Sequence, residues 1–256
     1  MSAPVFLAEP GSLADVAVGG TYQLEGAEAR HAGIVQRRRV GERVDVVDGA
    51  GVRLRCAISA VQTGRLELDV QERTVEAPSP VRLVLVQALA KGDRDELAIE
   101  AATEVGVDEV VPWQAHRSVV VWRGDRAAKS RARWVATVRA AAKQARRARV
   151  PDVAAATTTA ELAARVRRVV ADGGRALVLH EVARAGWHDV VLPAPDPAGT
   201  QVLVVVGPEG GIDDAELAEL TAAGAVSVRL GPHVLRTSTA GPVAVALACE
   251  RLGRWR

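Results

Sequence analysis

Two glycine-bearing segments near the C-terminal end place the strongest constraint on how this chain of 256 residues can fold. The first, GPEGG at residues 207–211, directly follows residues 202–206, an apolar β-branched run typical of a buried parallel strand. The second, residues 230–241, follows another short predicted strand at 226–230. Open α/β sheets bind ligands at the carboxyl ends of their strands, where glycine allows close approach to the backbone. The pair therefore predicts an α/β fold with a ligand site at that edge.

The rest of the sequence restricts the function classes. It contains no apolar run of about 18 residues, so no membrane-spanning helix is expected. The first residues lack the basic start and apolar core of a signal peptide. Cys56 and Cys249 lie far apart and have no metal-ligand spacing. These features together predict a cytoplasmic protein without a metal centre.

The main alternative for the first segment is a phosphate-binding loop. Asp213 and Glu216 predict a capped helix directly after it, and a helix N-terminus can hold phosphate. However, the sequence has no G-x-x-x-x-G-K-[ST] motif, and no G-x-G-x-x-G motif with an acid about 20 residues further on. Glu209 also puts a negative charge where a phosphate would lie. The segment is therefore better suited to a neutral or cationic ligand.

The pair GPEGG and LGPxVLRTxTA resembles the SPOUT class of RNA methyltransferases. Within that class it resembles the RsmE family, which methylates N3 of a uridine in small-subunit (16S) ribosomal RNA. The resemblance covers most of the chain. It implies a parallel sheet with a C-terminal deep trefoil knot, S-adenosyl-L-methionine as cofactor, and a homodimer that acts on 16S rRNA or the small ribosomal subunit. Two alternatives remain: a 2′-O-ribose RNA methyltransferase of the same fold, and a non-catalytic RNA-binding factor in ribosome assembly.

In the resembled family three segments form the cofactor pocket: the end of the strand at 176–181, the GPEGG loop, and the second glycine-bearing segment. The residues expected to bind the cofactor are Leu179, His180, Val206, Gly207, Pro208, Glu209, Gly210, Gly211, Leu230, Gly231, Val234, Leu235, Thr237, Ser238 and Ala240.

Arg236 is the expected catalytic side chain. Its expected role is to orient the uridine and to stabilise the anion that develops on it. The alternatives are an ion pair with Glu209 and a contact to an RNA phosphate that does not affect the rate of the reaction. The family often has Glu where this chain has Ser238. The base that accepts the uridine proton is therefore left open among Glu209, His233 and solvent.

Composition and strand-like runs divide the chain into residues 1–75 and residues 76–256. In the first part, Asp48-Gly49 between two β-rich runs predicts a hairpin. Apolar spacing predicts a helix across residues 28–40 with Ala29, Gly33, Ile34 and Val40 on its packed face. The resemblance implies that residues 1–75 form a PUA-like β-barrel that binds RNA, and that residues 76–256 form the SPOUT methyltransferase domain.

Basic residues form two clusters, and arginine suits bidentate contact with phosphate. A long helix predicted at about 126–147 ends in a pattern that resembles the family's EQ-x-x-R-x-x-VP, with Lys143 in place of the Glu. For the arginine cluster in the first part of the chain, the alternative is a solvated surface. For the end of the long helix, the alternative is an ordinary helix end at the surface. The residues expected to contact RNA are Arg30, His31, Arg37, Arg38, Arg39, Gln144 and Arg147.

The last predicted helix, from Pro242 to about Leu252, is apolar nearly all round. Such a helix is expected to be buried on all sides. Since it lies at the end of the chain, its own sheet is expected to cover one side and a partner subunit another. The alternative is packing within one subunit.

Overall fold

The computed structural model describes residues 3–195 and 199–255. The chain divides into two compact units, the first made of Met1–Pro78 with Ala142–Val150 and the second of Ser79–Ala141 with Pro151–Arg256. The first unit thus includes a short segment from the middle of the chain in addition to the N-terminal part. None of the helices that the structure describes has the length and apolar character needed to cross a membrane.

The first unit is built on a five-stranded sheet in the order β1-β3-β4-β5-β2. Its elements are β1 Val5–Leu7, β2 Thr21–Glu25, α1 Gly26–Arg30, β3 Arg43–Val47, β4 Val52–Gln62 and β5 Arg65–Val75. β1 runs parallel to β3, and the other neighbours are antiparallel. The hairpin predicted around Asp48-Gly49 is confirmed, because β3 and β4 pair directly on either side of it.

The helix predicted across residues 28–40 was wrong in length and in part of its packed face, although Ala29 is buried as predicted. α1 ends at Arg30 and continues as one π-helical turn, His31–Val35. Ala32 is buried, whereas Ile34 and Val40 are 62% and 63% exposed. The wider π turn moves the side chains that follow it out of the 3.6-residue repeat on which the prediction relied.

The second unit alternates strands and helices. Its elements are β6 Val81–Ala88, α2 Arg94–Val105, β7 Glu109–Trp113, α3 Asp125–Gln144, β8 Asp152–Val153, α4 Thr159–Ala171, β9 Arg175–Leu179, β10 Ala185–Gly186, β11 Thr200–Val206, α5 Asp214–Ala222, β12 Val226–Arg229 and α6 Thr237–Arg251. The sheet order is β10-β12-β9-β11-β6-β7-β8, and each described pair of neighbours is parallel. The predicted α/β fold with a parallel sheet is confirmed.

The central strands β6 and β11 are buried along almost their whole length, as the apolar run at 202–206 predicts for β11. The chain leaves β6 toward β7 on one side and leaves β11 toward β12 on the other. The strand order therefore reverses between β6 and β11. In sheets of this kind such a switch point opens a crevice at the carboxyl edge. Gln87 and Val206 face each other in the pairing of these two strands, beside the crevice.

Residues 142–150, which span the end of α3 and the chain after it, pack within the first unit. Lys143 Nζ lies 2.9 and 2.7 Å from the two carboxylate oxygens of Glu28. Ala148 is buried in a small apolar cluster with Val5 and Val47. The Glu28 ion pair explains how a lysine is accommodated where the resembled family has glutamate.

Candidate active site

The GPEGG loop leaves the end of β11 as a tight turn, with the Gly211 N–H donating to the Pro208 carbonyl at 2.9 Å. Ile212 is buried and folds back over Gly207. A Cβ at Gly207 would stand 2.6 Å from Ile212 Cγ1, closer than real Cβ contacts allow. Glycine at this position is therefore required by close packing. α5 begins after the loop with the predicted capping box of Asp213 and Glu216.

The second glycine-bearing segment divides into an exposed loop and the start of α6. The helix begins at Thr237, so the prediction that it starts at Pro242 was wrong. Arg236 is the N-cap residue, and its carbonyl accepts from the N–H groups of Thr239 and Ala240 at 2.8 and 3.0 Å. These two bonds close the first turn well before the proline.

A buried hydrogen-bond relay joins the two glycine-bearing segments. Thr237 Oγ1 donates to the Gly207 carbonyl at 2.7 Å, and Gln87 Nε2 donates to Thr237 Oγ1 at 2.9 Å. Gln87 is fully buried at the end of β6, and Thr237 is 8% exposed. The relay therefore connects strands β6 and β11 to the first turn of α6, and the two segments meet in space.

The Glu209 side chain is held by the loop that follows β6. Its Oε1 accepts from the Lys91 backbone N–H at 3.1 Å and from Arg94 Nη1 at 2.6 Å. Burial opposes ionisation, but hydrogen bonds from the Glu209 backbone, Arg94 and Lys91 outweigh it and hold the pKa of the Glu209 carboxyl below its usual value. Glu209 is therefore ionised at neutral pH and paired with Arg94.

The loop that follows β7 holds the other side of the GPEGG loop. Arg117 Nη1 donates to the Gly210 carbonyl at 3.0 Å. His116 Nδ1 lies 2.8 Å from Asp213 Oδ2, and this hydrogen bond raises the pKa of His116 above its usual value. The His116 backbone N–H also donates to the fully buried Glu216 at 2.9 Å.

Two adjoining cavities lie beside the second segment and share Arg229 and Leu230 in their walls. One is lined by six of the residues expected to bind the cofactor: Leu179, His180, Leu230, Val234, Leu235 and Ala240. The other has a volume of about 310 Å³, includes the expected Gly231, and also touches Trp187 and Pro232. A volume of that order is typical of a small-ligand site.

The remaining expected cofactor residues line neither cavity. They are Val206, Gly207, Pro208, Glu209, Gly210, Gly211, Thr237 and Ser238. The structure nevertheless brings Gly207 and Thr237 into contact through the relay. The GPEGG residues therefore lie next to the start of α6, while the cavities lie on the side of β9 and β12.

Arg236 lies where the exposed loop 230–236 enters α6. Its side chain is exposed and has no hydrogen-bond or ion-pair partner among the residues that the structure describes. Arg236 does not form the alternative ion pair with Glu209, because Glu209 is paired with Arg94. The Arg236 guanidinium is therefore free to contact a substrate.

The seven residues expected to contact RNA all belong to the first unit, since Gln144 and Arg147 fall in the segment 142–150. Arg30, Arg37 and Arg39 are exposed. Arg38 is partly engaged by Glu42 at 3.1 Å. His31 is half-buried, with its ring Nε2 lying 3.0 Å from Gln36 Nε2.

No sequence pattern indicated a functional role for Gln87, Arg94, His116 or Arg117. Gln87 could have been noticed, since it is a polar residue that directly follows the apolar run 83–86. For the other three no local pattern was available, because their partners in the GPEGG loop and α5 lie about a hundred residues further along the chain.

The parallel α/β fold agrees with the comparisons to known proteins. Residues 77–249 match the model of the RNA methyltransferase domain family. This match places the chain among RNA methyltransferases.

The most informative relatives are ribosomal RNA small subunit methyltransferases E. The protein from Mycobacterium tuberculosis is 46% identical over 237 residues, which cover 93% of this chain and 89% of that protein. The protein from Bacillus subtilis is 32% identical over 86% of each chain. A crystal structure of the Neisseria gonorrhoeae protein bound to S-adenosyl methionine is 27% identical, covers 98% of each chain and has a TM-score of 0.84. The chain belongs to the ribosomal RNA small subunit methyltransferase E family.

Proposed function

We propose that this chain transfers the methyl group of S-adenosylmethionine to N3 of a uridine in small-subunit (16S) ribosomal RNA. The observation that carries the proposal is the buried Gln87–Thr237–Gly207 relay, which brings both glycine-bearing segments together at the switch point of the sheet. The names of the relatives and the S-adenosyl methionine in the Neisseria gonorrhoeae structure support the same reaction. The enzyme acts where its ribosomal substrate is, in the cytoplasm.

The residues around the relay and the cavities fit S-adenosylmethionine. The cofactor, when bound, supplies an activated methyl group on a sulfonium. Loop 230–236 and the end of β9 offer an apolar wall, in which Val234 and Leu235 are exposed and free to cover a ligand. The GPEGG loop offers glycine backbone that a ligand can approach closely.

Arg236 supplies electrostatic stabilisation for the acceptor. The N3 atom of uridine carries a proton at neutral pH and must lose it before it can attack the methyl group. The guanidinium of Arg236, at the N-terminus of α6, stabilises the negative charge that this loss leaves on the base. Holding donor and acceptor in line supplies much of the remaining acceleration.

His233 is the better base of the two side chains considered. It lines the cavity beside loop 230–236. The pKa of Glu209 is lowered by hydrogen bonds, and its carboxylate is engaged by Arg94, so it is a weak acceptor for a uridine proton.

The direct test is methyl transfer to small ribosomal subunits, followed by mass spectrometry of the RNA nucleosides. We expect N3-methyluridine as the product in vitro, and the loss of that nucleoside from 16S rRNA in a deletion strain. A ribose 2′-O-methylated nucleoside would reassign the acceptor atom. Absence of any methylation together with tight RNA binding would support an assembly factor.

We also propose that residues 1–75 form a PUA-like RNA-binding domain and that the C-terminal part of residues 76–256 forms a trefoil knot. The five-stranded sheet with its short helix supports the first assignment. The hydrogen bond between Gly207 and Thr237, which closes the chain after β11 onto the start of α6, supports the second.

RNA binding in the first unit is expected to depend on Arg37 and Arg39. Both are exposed, and Arg37 has a φ of 53°, a left-handed conformation that costs a non-glycine residue about 1–2 kcal/mol. Each phosphate contact contributes about 0.7–0.9 to the slope of log K against log salt. Replacing both arginines with alanine is expected to lower that slope by about 1–2, measured by titrating 16S rRNA fragments at several salt concentrations.

Arg38→Ala is the matched control for this experiment, because Arg38 lies between the two and is already paired with Glu42. Its effect on the slope is expected to be smaller. An unchanged slope in the double variant removes Arg37 and Arg39 from the RNA interface.

We propose that the chain forms a homodimer through α6. One face of this helix is buried against the second unit, but Val243 and Leu247, one turn apart on another face, are 36% and 38% exposed. The prediction of burial on all sides is therefore not met within one chain. In the proposed dimer, a second copy of the chain packs against this exposed face of α6.

Leu247→Asp is expected to convert the dimer to a monomer, because it places an unpaired charge in an apolar contact. Light scattering after size-exclusion chromatography measures the mass. Val191→Asp is the control, since Val191 is exposed but lies outside the helix. A wild-type chain that runs as a monomer at micromolar concentration contradicts the proposal.

A further inference from the structure

We propose that Arg117 is a positioning residue that holds the GPEGG loop in the backbone conformation that binds S-adenosylmethionine. The inference rests on the function proposed above and adds a residue that lies outside both glycine-bearing segments. Arg117 belongs to the loop between β7 and α3, residues 114–124, which we call the strap.

The GPEGG loop requires external support. Glu209 and Gly210 are exposed, and three of its five residues are glycine, whose backbone loses more conformational freedom on ordering than that of any other residue. Thr237 fixes one end of the loop at Gly207. His116 fixes the other end through Asp213. The middle of the loop depends on side chains that reach across from neighbouring loops.

Arg94 holds the Glu209 side chain, and Arg117 holds the loop backbone at Gly210. Its Nη1 donates to the Gly210 carbonyl at 3.0 Å, a charge-assisted hydrogen bond. The approach is close along the stem as well, since a Cβ at Gly210 would stand 3.1 Å from Arg117 Cβ. Arg117 therefore fixes the direction of the Gly210 carbonyl and leaves little room for a side chain at that position.

The strap itself is anchored on both sides of Arg117. Before it, the His116 N–H donates to the buried Glu216 at 2.9 Å. After it, the Trp122 N–H donates to Gln114 at 3.2 Å. The Trp122 ring packs edge-on against Trp134 with their centroids 5.2 Å apart. A residue held in this way can orient a neighbouring loop, because its own backbone has little freedom.

An exposed arginine near a methyl-transfer site is also suited to an RNA phosphate. The structure favours the positioning role, because the guanidinium already donates to Gly210. The two roles differ in what they change. Positioning acts on the loop and on the cofactor without RNA present, whereas a phosphate contact acts only on RNA affinity and its salt dependence.

The test compares the full-length chain with its Arg117→Ala and Arg117→Lys variants. Arg123→Ala is the matched control, because Arg123 lies in the strap, is exposed and has no side-chain partner among the described residues. In Arg117→Ala we expect faster amide hydrogen exchange at residues 207–213 without cofactor. We also expect a Kd for S-adenosylmethionine about tenfold higher by calorimetry, the change that losing one charged hydrogen bond produces.

Arg117→Lys is expected to recover part of the affinity, since an ammonium can still donate to the carbonyl. Arg123→Ala is expected to match the wild type in both measurements. Unchanged exchange at 207–213 in Arg117→Ala overturns the proposal, as does an effect confined to RNA affinity and its salt slope. A third outcome separates this proposal from the proposed function. If exchange at 207–213 accelerates in Arg117→Ala but the wild type binds no S-adenosylmethionine, Arg117 does hold the loop and the proposed function is wrong.

Discussion

Replacing Arg236 with alanine is expected to lower kcat for methyl transfer by at least about 10²-fold, because removing one group that stabilises a developing anion costs about that much. The Kd for S-adenosylmethionine is expected to change by no more than about twofold, since Arg236 is exposed and acts on the acceptor. Single-turnover methyl transfer to small subunits and calorimetry with S-adenosylmethionine measure the two quantities separately.

Arg236→Lys separates charge from geometry in the same assay. Lysine keeps the positive charge at the start of α6 but lacks the planar fork of donors. We expect it to retain more activity than alanine and less than the wild type. Retention of full activity in Arg236→Ala contradicts the catalytic role. An equal loss of cofactor affinity and turnover would instead assign Arg236 to the cofactor site.

The strands around the site were predictable from the sequence for a simple physical reason. A parallel strand in the middle of a sheet is covered on both faces, so it must be apolar at almost every position. The runs that became β9 and β11 satisfy this condition and were placed correctly within a few residues. The capping box of α5 was predictable because both of its partners lie within one turn.

The start of α6 was not predictable by the same reasoning. Threonines followed by Gly-Pro are typical of a loop, because β-branched residues, glycine and proline all disfavour a helix interior. The structure overrides that preference, since Thr237 gains two buried hydrogen bonds when its turn is helical. Tertiary contacts outweighed local propensity at the position where the two segments meet.

The contacts that hold the GPEGG loop were also beyond local patterns. Arg94, at the start of α2, and Arg117, in the loop after β7, lie more than 90 residues before Glu209 and Gly210 in the chain. Nothing in the spacing around either arginine distinguishes it from other exposed arginines in this sequence. Only the pairing of β6, β7 and β11 in one sheet places their following loops side by side.

Thr237→Val is expected to destabilise the second unit and to weaken cofactor binding together. Valine keeps the shape of threonine but removes the hydroxyl, so the Gly207 carbonyl and Gln87 Nε2 each lose a partner in a buried site. Leaving a buried group unpaired costs about 1–3 kcal/mol, and the loss at Gln87 is smaller because its Nε2 still donates to the Ala88 carbonyl at 3.2 Å, so we expect a total loss of about 2–4 kcal/mol. For a unit of this size, that lowers Tm by roughly 4–16 °C.

Cofactor affinity is expected to fall by more than about tenfold in Thr237→Val, because the relay sets the distance between the two segments. The free-energy cost of breaking the relay exceeds about 1.4 kcal/mol, which corresponds to a tenfold change in Kd. Thr237→Ser is the matched control, since serine keeps the hydroxyl and is expected to stay near the wild type in both measurements.

Gln87→Leu breaks the same relay from β6. Because the two side chains act through one chain of hydrogen bonds, the double variant Gln87→Leu/Thr237→Val is expected to cost less than the sum of the single variants. Additive losses, or equal Tm and Kd for Thr237→Val and Thr237→Ser, would mean that the segments are held together by contacts other than this relay.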